Sequence, residues 1–203
     1  AACVTQIALT VPRKLLRSLL WQRLDGPGLE HFRLYDTHDG PVLEGTVFAV
    51  HEGAPLRVDY EIICSPTWET RVARMSALDN ETTRRLELVA DDSYRWWRDG
   101  VELTELAGCV DVDLSVTPAT NTLPIRRVGL AVGESCDATA AWVRLPEMVV
   151  QPLEQRYART GEREYRYESA SGFKTTIEVD ELGVVMRYPP GWERVVVDMA
   201  LGR

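Results

Sequence analysis

From residue 29 onward the chain is cut into short runs of alternating apolar and polar residues joined by tight turns, a period-two rhythm that restricts it to a mainly β architecture. The clearest run is Leu56 to Cys64. Leu56, Val58, Tyr60, Ile62 and Cys64 share one face and Arg57, Asp59, Glu61 and Ile63 the other, as in a strand with one wet side. Comparable runs cover 29–37, 42–51, 67–77, 84–90, 94–98, 101–104, 109–117, 138–145, 148–158, 162–169, 173–180, 184–188 and 192–198, which makes fourteen predicted strands. Asp99-Gly100 between Arg98 and Val101 is a two-residue hairpin signal, and Ser171-Gly172 and Leu182-Gly183 supply further turns. Parallel pairing needs crossovers of about a dozen residues, for which 29–116 has no room, so a long antiparallel meander is expected. Residues 1–17 lack a strand pattern and read as an N-terminal extension to one domain over 18–203.

One stretch breaks the rhythm. Thr120 to Gly133 carries capping residues Thr120 and Asn121, Pro124 in the first turn and Gly133 as a stop, which predicts a single short helix. Its apolar residues, Leu123, Ile125, Val128, Leu130, Ala131 and Val132, point nearly all round the wheel, so the helix should be enclosed by protein. A sheet of this many strands has to curl to protect its edges, and curling around that helix would leave a hollow beside it.

Composition removes several classes of function. With 31 acidic against 23 basic residues and a net charge of -8, the surface as a whole should repel phosphate backbones and anionic lipid headgroups, and nucleic acid is not an expected partner. No apolar run is long enough for stable membrane insertion, and Ile7 to Pro12 is too short for a signal sequence, so the cytoplasm is the expected compartment. The Ala1-Ala2-Cys3 start is set aside as a lipoprotein signal, because a mature lipoprotein would begin at the cysteine. Cys3, Cys64, Cys109 and Cys136 form no CxxC pair, and His31, His38 and His51 no HxH or HExxH, so no metal or other cofactor is expected. Ser115 and Ser135 lack the GxSxG setting of a hydrolase nucleophile.

Chemistry concentrates in Cys109 to Arg127, CVDVDLSVTPATNTLPIRR. On a strand, Asp111 and Asp113 share a face about 7 Å apart, within the separation of an inverting glycosidase pair. Two nearby arginines, Arg126 and Arg127, would suppress the raised pKa a general acid needs. An ion-pair network across strand and helix is therefore the favoured reading, one that can also orient a ligand headgroup. Trp96, Trp142, Tyr165 and Tyr167 are the candidate aromatic walls of a pocket, although core and cross-strand packing is the expected role of most such residues.

The block D-V-D-L-S followed by T-P-A-T-N-T-L-P-I-R-R resembles that of the "putative glycolipid-binding" family of bacterial proteins. The likeness runs from about Leu19 to the end and takes in Trp21, the Tyr94 to Gly100 hairpin, Arg156-Tyr157 and Tyr188-Pro189. The resemblance implies a spiral β-roll of about fifteen strands around one helix, and binding of a glycolipid, with no catalytic residues to carry over. Tyr188-Pro189-Pro190-Gly191-Trp192 departs from the single proline of the family pattern, which should alter a loop. The expected function is non-catalytic binding of an amphiphilic small molecule, a glycolipid or lipid, between sheet and helix. Asp111, Asp113, Arg126 and Arg127 are expected at the headgroup, and Trp96, Trp142, Tyr165 and Tyr167 along the wall. The alternatives are a cofactor-independent enzyme acting on a small aromatic or sugar substrate in the same cleft, and a protein-interaction module using an open sheet edge.

Overall fold

The computed structural model describes residues 12–80 and 82–195. The first half of the chain forms β1 (Lys14–Arg23), β2 (Gly28–Thr37), β3 (Gly40–His51), β4 (Ala54–Cys64), β5 (Thr70–Asp79), β6 (Thr82–Ala90), β7 (Trp96–Arg98) and β8 (Val101–Glu102). The second half forms β9 (Asp111–Leu114), the helix α1 (Thr122–Val128), β10 (Ser135–Arg144), β11 (Val149–Arg159), β12 (Glu164–Ser169), β13 (Lys174–Val179), β14 (Val185–Tyr188) and β15 (Trp192–Arg194). All fifteen strands make one open sheet in the order β8-β7-β6-β5-β4-β3-β2-β1-β15-β14-β13-β12-β11-β10-β9.

That order explains the roll. β8 and β9 follow one another along the chain yet form opposite edges of the sheet, so the sheet has to wind back on itself to keep them within one short connection. The edge strand β9 is held against the start of β5: Val112 N donates to Thr70 Oγ1 at 3.1 Å and Thr70 N to the Val110 carbonyl at 3.3 Å. Winding turns one face of every long strand inward. Leu43, Val47, Val58, Ile62, Ala73 and Leu88 are completely buried, as the alternation of β3 to β6 requires. Trp21 and Phe32 pack at 4.8 Å, and the Trp21 indole N–H donates to the Val185 carbonyl across the interior.

Two expectations change. The pairing is not wholly antiparallel, because β9 runs parallel to β10. The crossover this requires is the helix-bearing stretch between Leu114 and Ser135, beyond the segment the sequence argument considered. The supposed extension also contains a strand, since β1 begins at Lys14 and pairs along its length with β2. Paired leucines at 15–16 and 19–20 hide its period, and a register shift between Leu15 and Arg17 breaks it. The rest of the predicted extension, 1–11, lies outside the described residues, as does 196–198 of the last predicted strand. The Asp99-Gly100 hairpin forms with both residues at positive φ.

The helix is shorter than predicted and differently capped. A 3₁₀ turn over Ala119–Asn121 leads into α1, and Gly129, in the left-handed region at φ 61°, ends it four residues before Gly133. Neither Thr120 nor Asn121 caps: the Thr120 hydroxyl donates to Asp113 and the Asn121 amide to the Pro118 carbonyl. Thr122, Leu123, Pro124 and Ile125 are buried while Arg126 and Val128 are exposed, so the helix is enclosed by its first turn and emerges at its last.

Candidate functional site

The interior beside the first turn of the helix is hollow. A cleft of about 390 Å³ opens between the strand β9, the turn that follows it and the far side of the roll, near the lower end of the roughly 300–1,000 Å³ of small-molecule sites. Its polar wall carries Asp113, Ser115, Thr117, Asn121, Tyr167 and Tyr188. Its apolar wall carries Val50, Leu56, Trp142, Leu145, Leu153 and Phe173, and the rim carries Arg23, Asp25, His51 and Trp192.

Asp113 reaches the cleft because strand alternation puts it on the same side as Trp142, its register partner on β10. One carboxylate oxygen accepts from the Thr120 hydroxyl at 2.9 Å, the other from the Gln155 amide at 2.6 Å. Burial outweighs these bonds and raises its pKa to about 6. The Tyr157 hydroxyl donates to Asn121 Oδ1 at 2.9 Å. The rings of Tyr157, Tyr167, Phe173 and Tyr188 pack with centroids 5.1 to 6.2 Å apart. Helix entry, β9, β11 and the tyrosines of β12 and β14 thus form one network with a polar edge on the cleft.

The paired aspartates have separate fates. Asp111 is buried and takes Arg127 in a bidentate pair, 3.2 Å from Nε and 2.7 Å from Nη2. Burial raises the Asp111 pKa, an effect the guanidinium opposes. The ion-pair reading therefore holds for Asp111 and Arg127 alone. Asp113 is held by neutral groups, and Arg126 pairs with neither aspartate.

Of the eight residues singled out in the sequence, the structure brings Asp113, Trp142 and Tyr167 to the cleft. Asp111 and Arg127 do not line it. Trp96 belongs to the core, wholly buried, with its indole N–H on the Cys109 carbonyl at 2.8 Å, because the edge of the roll closes over it. Arg126 and Tyr165 face a different hollow near the end of the helix, since the last turn carries Arg126 out of the interior. Tyr188, Trp192 and Pro190 were legible as one segment, and the proline departure lies in the cleft lining.

Sequence reasoning missed Glu30. It sits at an inward position of β2 with none of its surface exposed, where Tyr60 Oη donates to its Oε1 at 2.5 Å and Thr117 Oγ1 at 2.8 Å. Its Oε2 has no hydrogen-bond partner among the described residues, and burial lifts its pKa to about 8, so the acid is neutral across most of the physiological range. Tyr60 reaches it by lying across Gly45, where a Cβ would collide with the phenol ring. A glutamate in the apolar phase of β2, with a glycine on the adjacent strand β3 and Tyr60 in register with that glycine on β4, was the available signal.

A family model described as "Putative glycolipid-binding" matches residues 18–194. The chain belongs to this family. The crystal structure of a DUF1089 family protein from Pseudomonas aeruginosa superposes with a TM-score of 0.76 at 33% identity, covering 83% of this chain and 92% of that one. The superposition shows that this neighbour shares the fold that the resemblance implied. No curated protein matches the chain. Among the described residues, no helix is long and apolar enough to cross a membrane, and no cluster of His, Cys, Asp or Glu could hold a metal ion.

Proposed function

We propose that the cleft binds the headgroup and proximal tail of a single-chain amphiphile, a glycolipid in the first instance, without chemically altering it. The observation that carries this reading is the division of one cleft into two walls: a carboxylate, an amide and tyrosine hydroxyls face aliphatic and aromatic side chains across about 390 Å³. Hydroxyl-rich rings suit such a pair of walls, because their O–H edges bond to carboxylate and amide while their C–H faces stack on aromatic rings. Asp113, Asn121 and Tyr188 would hold the sugar, Trp142 and Phe173 its face, and Val50, Leu56, Leu145 and Leu153 the start of the tail. The volume fits one ring and a short stretch of chain, so the remainder of a long tail would lie outside. The family description agrees with this ligand class.

Titration with an alkyl glucoside kept below its micelle concentration tests the reading. Saturable binding to the wild-type chain is expected, weakened about tenfold by Asp113→Asn. Repeated failure of any alkyl glycoside to bind, with no lipid-sized adduct in native mass spectra of protein taken from its host, would discard it. A cofactor-independent enzyme is the second reading, favoured by the pKa of about 6 that would let Asp113 act as a base near neutrality. Unchanged affinity with lost turnover in Asp113→Asn would select it.

A further inference from the structure

A second hollow, about 310 Å³, lies where the helix emerges, lined by Arg126, Arg159, Arg163 and Tyr165 together with Gly129 and Gly183. Its chemistry differs from that of the cleft. In a chain of net charge -8 it gathers three arginines, and their charges are incompletely matched. Arg126 makes no hydrogen bond or ion pair among the described residues. Its guanidinium lies 5.0 Å above the Trp68 ring and its stem crosses Gly183, where an added Cβ would stand 2.9 Å from Cδ. Arg159 has no carboxylate partner among those residues either; it is held by three backbone carbonyls, Leu130 at 2.7 Å, Gly161 at 3.3 Å and that of Glu162. Arg163 comes no nearer than 3.7 Å to Glu181.

Tyr165 adds an available hydrogen-bond donor to the lining of the hollow. It is only 4% exposed, its ring lies 5.7 Å from the Arg159 guanidinium, and its hydroxyl has no hydrogen-bond partner among the described residues. That hydroxyl is not sealed in the interior but borders the hollow. The acids on the same wall are largely engaged elsewhere. Asp180 Oδ1 accepts the Leu182 and Val184 amides at 2.9 Å, its Oδ2 is ion-paired at 2.8 Å with Arg17 Nε without a hydrogen bond, and Glu181 is bonded to Arg17. Glu162 is exposed.

We propose that this hollow is a second binding site, independent of the cleft, for the oxyanion of a small solute, a carboxylate or phosphate. Arg126 and the Tyr165 hydroxyl donate to it, and the carbonyl-anchored Arg159 supplies a fixed positive charge behind it. The anchoring matters because a guanidinium already locked by carbonyls needs no reordering when the anion arrives.

Isothermal titration of the full chain with inorganic phosphate, glycerol 3-phosphate and acetate, at constant ionic strength in chloride, tests the proposal. Saturable one-to-one binding of at least one of them is expected. Preference for glycerol 3-phosphate would point to a lipid-derived headgroup, for inorganic phosphate to the free ion, and for acetate to a carboxylate. Arg126→Gln, an exposed change that leaves the core intact, should weaken binding about tenfold or more, Tyr165→Phe a fewfold, and Glu162→Gln should strengthen it. Arg84→Gln, the same loss of charge on a remote strand, should change nothing. Absence of saturable binding by all three anions, or equal binding by wild type and Arg126→Gln, would overturn the site. Neither result bears on alkyl glucoside binding in the cleft.

Discussion

Two carboxyl groups stand near opposite ends of one polar seam, and their surroundings differ in a way that separates architecture from function. Glu30, in the first half of the sheet, is walled in by β1 and β3, is hydrogen-bonded among the described residues only by Tyr60 and Thr117, and keeps its proton to about pH 8. Asp113, in the second half, is saturated by Thr120 and Gln155 yet borders open space, and loses its proton near pH 6. Thr117 joins the two regions, donating to Glu30 while lining the cleft. A neutral buried acid is a structural pin. A half-buried acid with an open side is the group that the proposed binding reading assigns to the ligand.

The comparison breaks first at the charge that stands apart from both. Arg127→Leu leaves the buried Asp111 carboxylate unpaired and should cost about 3–5 kcal/mol of folding stability in urea titration, more than any change at Asp113. Less than about 1 kcal/mol would mean that water already reaches Asp111.

Glu30→Gln sharpens the contrast through pH. In the unfolded chain the acid ionises at its usual 4.5, and in the native chain only near 8, so the native state retains a proton that the unfolded state has released. The contribution to stability is intact below about 4.5, declines across 4.5 to 8, and is gone above about 8. The variant should therefore match the wild type in acid and exceed it above pH 8, by at most about 4–5 kcal/mol. Equal melting curves at pH 9 would show Glu30 to be solvated.

Gly45→Ala probes the same pin by crowding. The methyl group displaces the Tyr60 ring from Glu30 and should destabilise the fold by about 1–3 kcal/mol, in addition to flattening the dependence on pH. At Asp113 the effect belongs to binding rather than folding. Where the carboxylate accepts a sugar hydroxyl, affinity for an alkyl glucoside should rise as pH increases through about 6, and Asp113→Asn should abolish that rise at a cost of about 1.4 kcal/mol in affinity. A flat profile in the wild type would remove Asp113 from the headgroup.

Much of the sheet was legible because its signal is local: each residue of β4 faces in or out according to its own place in the alternation, and the Asp99-Gly100 turn is written in two residues. β1 was hidden by adjacent leucines and a register shift, both of which erase a period-two pattern. The candidate site was legible in part. Asp113 stood out for its strand face, but Gln155 and Thr120, which complete its shell, are ordinary polar residues until the roll closes. Arg126 and Arg127 are neighbours in the sequence and so appeared to serve one site. On the last turn of a helix that is leaving the interior, consecutive side chains diverge, and one turns back to Asp111 while the other turns out over Trp68.

Alternation, turn residues and the apolar wheel of one short segment determined by themselves that this chain would be a long β meander with a single inserted helix, because period and turn chemistry act between near neighbours. Where the edge strand β9 lands on the sheet, which strand pairs in parallel, and which polar side chains converge on a hollow were decided only by the winding of the roll. Those outcomes depend on contacts between residues distant along the chain, and no local pattern records them.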